Sequence, residues 1–153
     1  MLVAVLPQTD ELRVASFADL DTITLYRLLE LRCAVFIVEQ EAAYLDIDGR
    51  DVEPATRHVW VARAGAPVAY LRMLGEPDGG LRIGRVVVAK EARGSGVAGR
   101  LMDAALEIVG ARPSVLDAQE HLAGFYARYG YAVSGDTFVD DGIPHVPMSR
   151  AAQ

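Results

Sequence analysis

Polar and apolar residues alternate from Glu11 to Phe17, the period of a half-buried strand. The rhythm then changes. Between Thr22 and about Glu39, Leu25, Leu28, Leu29, Cys33, Phe36 and Ile37 recur at three and four, which places them on one helix face. Asp21 or Thr22 can cap the first turn. Residues 40–56 lose the periodicity and carry many acids. Two strands are predicted over His58–Ala64 and Pro67–Leu74, joined at Gly65-Ala66. A turn at Pro77-Asp78-Gly79-Gly80 leads into a third, Leu81–Ala89. An amphipathic helix follows a glycine cluster and runs to about Val109, with Gly110 as its stop. Strand Ser114–Ala118, helix His121–Tyr129 and strands near Tyr131–Val139 and Ile143–Ser149 complete the pattern. The order β-α-β-β-β-α-β-α-β-β predicts a mixed sheet flanked by helices.

Composition narrows the class. The chain has 153 residues, 52% hydrophobic and 24% charged, the profile of one globular domain over 1–153. Its net charge of −6 argues against a nucleic-acid partner, which calls for clustered Lys and Arg. The apolar opening Met1–Leu6 is too short to span a bilayer and has no basic segment before it, so no membrane association is expected. The single cysteine, Cys33, has no disulfide partner in the chain and reads as a core residue of the first helix. A cytoplasmic location is the simple expectation.

The chemistry concentrates in Val86-Val87-Val88-Ala89-Lys90-Glu91-Ala92-Arg93-Gly94-Ser95-Gly96-Val97-Ala98-Gly99. A β-branched run ends at a charged turn, glycines follow, and a helix starts at once. That order aims free backbone N–H groups and the positive end of a helix dipole at one spot, a place for phosphate. A Walker A loop is excluded, since no Gly-Lys-Ser or Gly-Lys-Thr occurs. Gly94 to Gly99 matches G-x-G-x-x-G literally, but it lies past mid-chain and no acid-tipped second strand follows. A tight turn that binds nothing is the plain alternative.

The pattern R-x-x-G-x-A (Arg93, Gly96, Ala98) resembles the GCN-five-related N-acetyltransferases, the GNAT superfamily, whose loop grips the pyrophosphate of acetyl-coenzyme A. Phe125-Tyr126 with Gly130-Tyr131 is similar to a second GNAT element. Leu31-Arg32-Cys33-Ala34-Val35-Phe36-Ile37-Val38-Glu39-Gln40, with Tyr44, Asp46, Asp48, Asp51 and His58, resembles the ElaA group of the family. So do Ala118-Gln119-Glu120-His121-Leu122 and Asp140-Asp141-Gly142-Ile143-Pro144-His145-Val146-Pro147-Met148. The likeness covers roughly residues 12–150. It implies the α+β GNAT fold, with a mixed, mostly antiparallel central sheet of about seven strands flanked by helices. Gln119 stands where many members carry Asn, and Arg85 where many place an acid.

The resemblance implies acetyl transfer from acetyl-CoA to a primary amine, on a small molecule or peptide, by direct attack in a ternary complex without a metal. Val86, Val87 and Val88 would pair with pantetheine, and an N–H near Val88 would face the developing oxyanion, a donor typically worth ~3 kcal/mol of barrier. Arg93, Gly94, Ser95, Gly96, Val97, Ala98 and Gly99 would hold the pyrophosphate. Gln119 would hydrogen-bond pantetheine or a carbonyl. Tyr126 would meet the coenzyme sulfur and protonate the thiolate. Glu39, at the acceptor wall, and His145, on a strand bordering the acceptor side, are the candidate bases; His58 and His121 are alternatives.

Asp46-Ile47-Asp48-Gly49-Arg50-Asp51 fails as a calcium loop, because Gly falls at the fourth place rather than the sixth. It reads as a solvated acidic loop. With Glu39, Glu41 and Glu53 it could also attract a cationic amine. No Cys/His spacing for a metal and no Ser-His-Asp pattern is present. Two rivals remain open: an acyl-homoserine-lactone-synthase-like acyltransferase, whose start Arg32, Val35, Phe36 and Glu39 also resemble, and a CoA-binding module without turnover. The end strands within 131–149 could mediate a homodimer.

Overall fold

The structure, a computed structural model, describes residues 9–153; the apolar opening at Met1–Leu6 lies outside them. Strand β1 (Glu11–Ala15) leads to helix α1 (Thr22–Arg32), which continues as a π-helical turn over Cys33–Glu39. Then come β2 (Arg57–Arg63), β3 (Ala66–Gly75), β4 (Leu81–Val88), helix α2 (Val97–Val109), β5 (Ser114–Gln119), the short helix α3 (Ala123–Ala127), β6 (Ala132–Val133), β7 (Phe138–Asp140) and β8 (Ile143–Arg150). They form an eight-stranded sheet in the order β1-β2-β3-β4-β5-β8-β6, with β7 also paired to β8. Only β4–β5 is parallel, so the sheet is mixed and mostly antiparallel, as expected. The strand expected near Tyr131–Val139 is divided: residues 134–137 leave the ladder, and β6 and β7 pair with different stretches of β8.

Residues 58–62 of β2 and 68–74 of β3 are buried without a break, because helices cover both faces. Helix α2 lays Leu101, Met102, Ala104, Ala105 and Val109 against β2, β3 and β4. Helix α1 is capped by Asp21, whose carboxylate accepts from Thr24 N–H at 2.8 Å, and packs on β3 and β4.

The α1 face is not the one its hydrophobic spacing suggested. Leu28, Leu31, Arg32, Val35 and Phe36 are buried; Leu25 and Leu29 are half-buried, and Cys33 is exposed. The stripe is rotated by about one residue, and Arg32, 1% exposed, sits at its centre. An arginine can occupy a core stripe only where its charge is met. The segment after the helix meets it.

Arg32 Nε donates to Asp46 Oδ2 at 3.0 Å, and its Nη1 donates to Asp51 Oδ1 at 2.8 Å. On the same side of the sheet, Arg72 of β3 donates to Asp48 at 2.8 Å from both terminal nitrogens and to Asp51 at 3.2 Å. Arg85 of β4 adds contacts to Asp46 and Asp48 at 2.8 and 3.3 Å. The expectation of a solvated acidic loop is therefore corrected. Asp46 and Asp51 are 7% and 5% exposed, and three arginines cancel three aspartates. Arg72 holds the Asp48 carboxyl well below its usual range. Burial works against the Asp51 charge, yet Arg32 and Arg72 still hold that carboxyl low. These charges are spent inside the fold, which leaves them little field with which to draw in a cationic amine.

Candidate active site

The parallel ladder between β4 and β5 spans only Leu81–Ile83 and Ser114–Leu116, although both strands continue. Beyond it they part, and the β4 edge from Gly84 to Val88 faces an open wedge. The separation coincides with a bulge: the β3–β4 register slips between Tyr70 and Arg72, and Arg85 takes φ +53°. A bulge bends its strand away from the ladder. Val86, Val87 and Val88, chosen from the sequence as a pantetheine edge, line this wedge.

At the wedge's end the chain turns into α2. Gly94 and Gly96 have φ +76° and +80°, left-handed values that glycine takes without strain. Gly96 is the N-cap of α2, and no side chain caps the helix. The amides of Val97, Ala98 and Gly99 thus lack helical partners and open toward the groove. Ser95 turns its hydroxyl back to the Ala92 carbonyl at 2.5 Å. The resulting groove encloses about 850 Å³, and Phe125, Arg128 and Tyr129 of the α3 region form its far wall. An extended thioester carrier fits this space: free strand edge, apolar walls, and anion-seeking amides at one end.

A second cavity, about 230 Å³, lies on the other side of the wedge. Arg72, Arg82 and Arg85 line it, as do Asp117, Asp140, Asp141 and His145. Tyr126, Gln119, Gln40, Phe36, Val86 and Leu122 border both spaces. Tyr126 is 5% exposed, and burial pushes its hydroxyl up to about 12, so it stays protonated at neutral pH. Gln119 donates its amide to Gln40 Oε1 at 3.3 Å, which ties β5 to the end of the π-helical turn.

The histidines separate cleanly. His145 stacks on Phe138 at 5.6 Å, and its Nδ1 lies 2.7 Å from the Ile143 carbonyl. A carbonyl can only accept, so Nδ1 is the donor here, and in the neutral tautomer this leaves Nε2 as the acceptor. His58 is 2% exposed, with Nδ1 2.7 Å from the Tyr70 hydroxyl and Nε2 3.0 Å from the Asp51 carbonyl. Burial lowers its pKa and both nitrogens are used, so His58 is a neutral core residue. His121 lines the larger groove and not the second cavity.

Glu39 departs from its expected place. It also lines the donor groove, and Arg93 grips it, Nη1 to Oε1 at 2.7 Å and Nη2 to Oε2 at 2.5 Å. That guanidinium holds the Glu39 carboxyl below its ordinary value, which makes it a poor proton acceptor. Arg93 also donates Nε to the Val88 carbonyl at 3.2 Å. Sequence reasoning missed Arg72, Arg82 and Arg85 as cavity walls. The available signal was the equal number of arginines and aspartates across Arg32, Asp46, Asp48, Asp51, Arg72 and Arg85.

Comparison with known proteins gives the family to which the chain is similar. Residues 28–152 match the family model described as an acetyltransferase (GNAT) domain. The chain belongs to the GNAT superfamily of acetyltransferases. A crystal structure of an acyl-CoA N-acyltransferase from Pseudomonas aeruginosa superposes with a TM-score of 0.87 at 39% identity, covering 94% of this chain and all of that one. The crystal structure of Escherichia coli ElaA gives 0.88 at 38%, covering 93% and 99%. A UPF0039 protein of Mycobacterium tuberculosis is 47% identical over 146 residues, 93% of this chain and 94% of its own. Within the superfamily, the chain lies on the ElaA-like branch.

Proposed function

We propose that the protein transfers an acetyl group from acetyl-CoA to a primary amine in a ternary complex, with Tyr126 as acid and His145 as base. The carrying observation is that Tyr126 stands in the wall shared by a groove fit for a thioester carrier and a smaller polar cavity. The amides of Val97, Ala98 and Gly99, with Gly94, Ser95 and Gly96, hold the diphosphate, and Arg93 turns from Glu39 to join them. The backbone of Val86 to Val88 pairs with the pantetheine arm, and Gln119 orients it. The Val88 N–H polarises the thioester carbonyl.

His145 Nε2 takes a proton from the ammonium. The freed nitrogen pair then attacks the thioester carbon; as the tetrahedral adduct collapses the C–S bond breaks, the Tyr126 hydroxyl protonates the departing sulfur, and the second proton lost by the nitrogen restores the tyrosine, while His145 passes its proton to solvent. His145 is preferred to Glu39 because it lines the smaller cavity and turns Nδ1 to the Ile143 carbonyl, which leaves Nε2 for the acceptor, while Glu39 is neutralised by Arg93 across the larger groove. The test is release of free thiol from acetyl-CoA across a broad amine panel, paired with calorimetry for CoA. Turnover that falls at least tenfold in His145→Gln supports the assignment. Tight CoA binding with no turnover on any amine supports a binding module instead.

A further inference from the structure

Arg85 is set in an unusual backbone. It occupies the β4 bulge with φ +53°, a conformation that non-glycine residues keep only where surrounding contacts enforce it. Its guanidinium lies 5.3 Å from the Tyr44 ring centroid and lines the smaller cavity. Arginine has five N–H donors. Among the described residues, the Arg85 side chain makes two hydrogen bonds, both from Nη2: to the Asp46 carbonyl at 3.2 Å and Asp48 Oδ2 at 3.3 Å. Nε is 2.8 Å from Asp46 Oδ1 but is not aligned for a hydrogen bond, and Nη1 makes none. Arg72 lines the same cavity, is 3% exposed, and keeps its own Nε without a partner.

The Nε atoms of Arg85 and Arg72 are buried, so among the described residues Arg85 Nη1, which makes no hydrogen bond, is the guanidinium donor this wall leaves to a ligand. The wall formed by β7 and β8 carries Asp140, Asp141 and His145. A cavity of about 230 Å³ has room for roughly eight waters, the scale of one amino acid. Donors on one side and carboxylates on the other complement a small zwitterion.

We infer that the acceptor is an amine that also bears a carboxylate, of amino-acid size, with Arg85 holding the carboxylate and the ammonium directed toward His145, Asp140 and Asp141. The inference rests on the acyl-transfer reading of this cavity. Arginine–carboxylate contacts are charge-assisted and often two-pronged, so losing one is expected to cost about tenfold or more.

The test uses acetyl-CoA and matched acceptor sets: L-phenylalanine, L-phenylalaninamide and phenethylamine, with leucine and methionine sets built the same way. In the wild type, the acid of at least one set should exceed its decarboxylated partner about tenfold in kcat/KM. Arg85→Gln should reduce that ratio to within about threefold of unity, and Arg85→Lys, which keeps the charge but not the fork, should reduce it by at least threefold. If Arg85→Gln does not fold, the lysine variant and the wild-type ratio decide. Equal use of acid and amine by the wild type in every set, or a ratio that survives both substitutions, overturns the carboxylate subsite.

Calorimetry of the N-acetyl products and their decarboxylated counterparts on the CoA-bound protein separates this outcome from failure of the catalytic reading. No thiol release with any acceptor removes the enzyme proposal. The subsite then stands if wild-type protein binds the carboxylate product at least tenfold more tightly and Arg85→Gln loses that margin; it falls if there is no margin.

Discussion

The larger groove, proposed for the donor, and the smaller cavity, proposed for the acceptor, share Tyr126, yet one offers main-chain polar groups between apolar walls and the other offers charged side chains. The groove takes its recognition groups from one continuous stretch, the β4 edge and the uncapped start of α2. The cavity draws Arg72, Arg82, Arg85, Asp117, Asp140 and His145 from five strands, and its floor rests on the ionic network around Arg32. Backbone amides bind an anion whatever side chains surround them, so the groove can stay constant while the cavity varies. The cavity instead depends on long-range contacts. Buried ion pairs are poor sources of stability compared with apolar packing, but removing one partner leaves an uncompensated charge.

The sharpest break of this contrast is Gly96→Asp. It puts a side chain at φ +80° and a negative charge against the amides meant for a diphosphate, so CoA binding should disappear in calorimetry while the protein remains folded. Binding within threefold of wild type would show that the diphosphate lies elsewhere. Arg32→Ala attacks the other region and should act on stability: Asp46 and Asp51 lose their buried partner, for a loss of about 3–5 kcal/mol by denaturant titration. A loss below about 1 kcal/mol would mean that the network is not what holds the loop.

Between the two regions, Tyr126→Phe should lower kcat by about 100-fold with CoA affinity near normal, the general-acid signature; an unchanged kcat would end that role. Acid should find the ionic side first. Asp48 and Asp51 have folded pKa values below those of the unfolded chain, so their contribution is present above about pH 4 and is lost as pH falls through the folded values. Tm should fall below that point and approach a plateau above it, and Arg32→Ala should flatten the profile. The smallest effect belongs to Glu39→Gln, which removes a solvent-exposed, screened pair and should change kcat less than threefold. A hundredfold loss there would return Glu39 to the role of base.

The order of helices and strands was legible because each element carries its own period, and the donor loop because its information is local: glycines, a β-branched strand and a helix start. Gly96 caps α2 as that pattern required. The face of α1 was misjudged because Arg32 was excluded from the hydrophobic stripe, which shifted the set onto Cys33. Glu39 was misplaced for a related reason. Nothing along the chain shows that Arg93, 54 positions later, folds over to neutralise it. The π-helical turn, closed by Gln40 N–H to the Val35 carbonyl at 3.0 Å, likewise has no plain signature in an apolar run.

By itself the sequence determined the periodic elements, their order, and the glycine turn that leaves the start of α2 uncapped, since all of these arise between residues close in the chain. Only the tertiary structure decided which arginines meet which aspartates, that both His58 nitrogens are engaged in the core, and that His145 and Arg85 line one small cavity. Those outcomes depend on charges brought out of water together from distant strands, and a buried charge is tolerated only in the arrangement that pairs it.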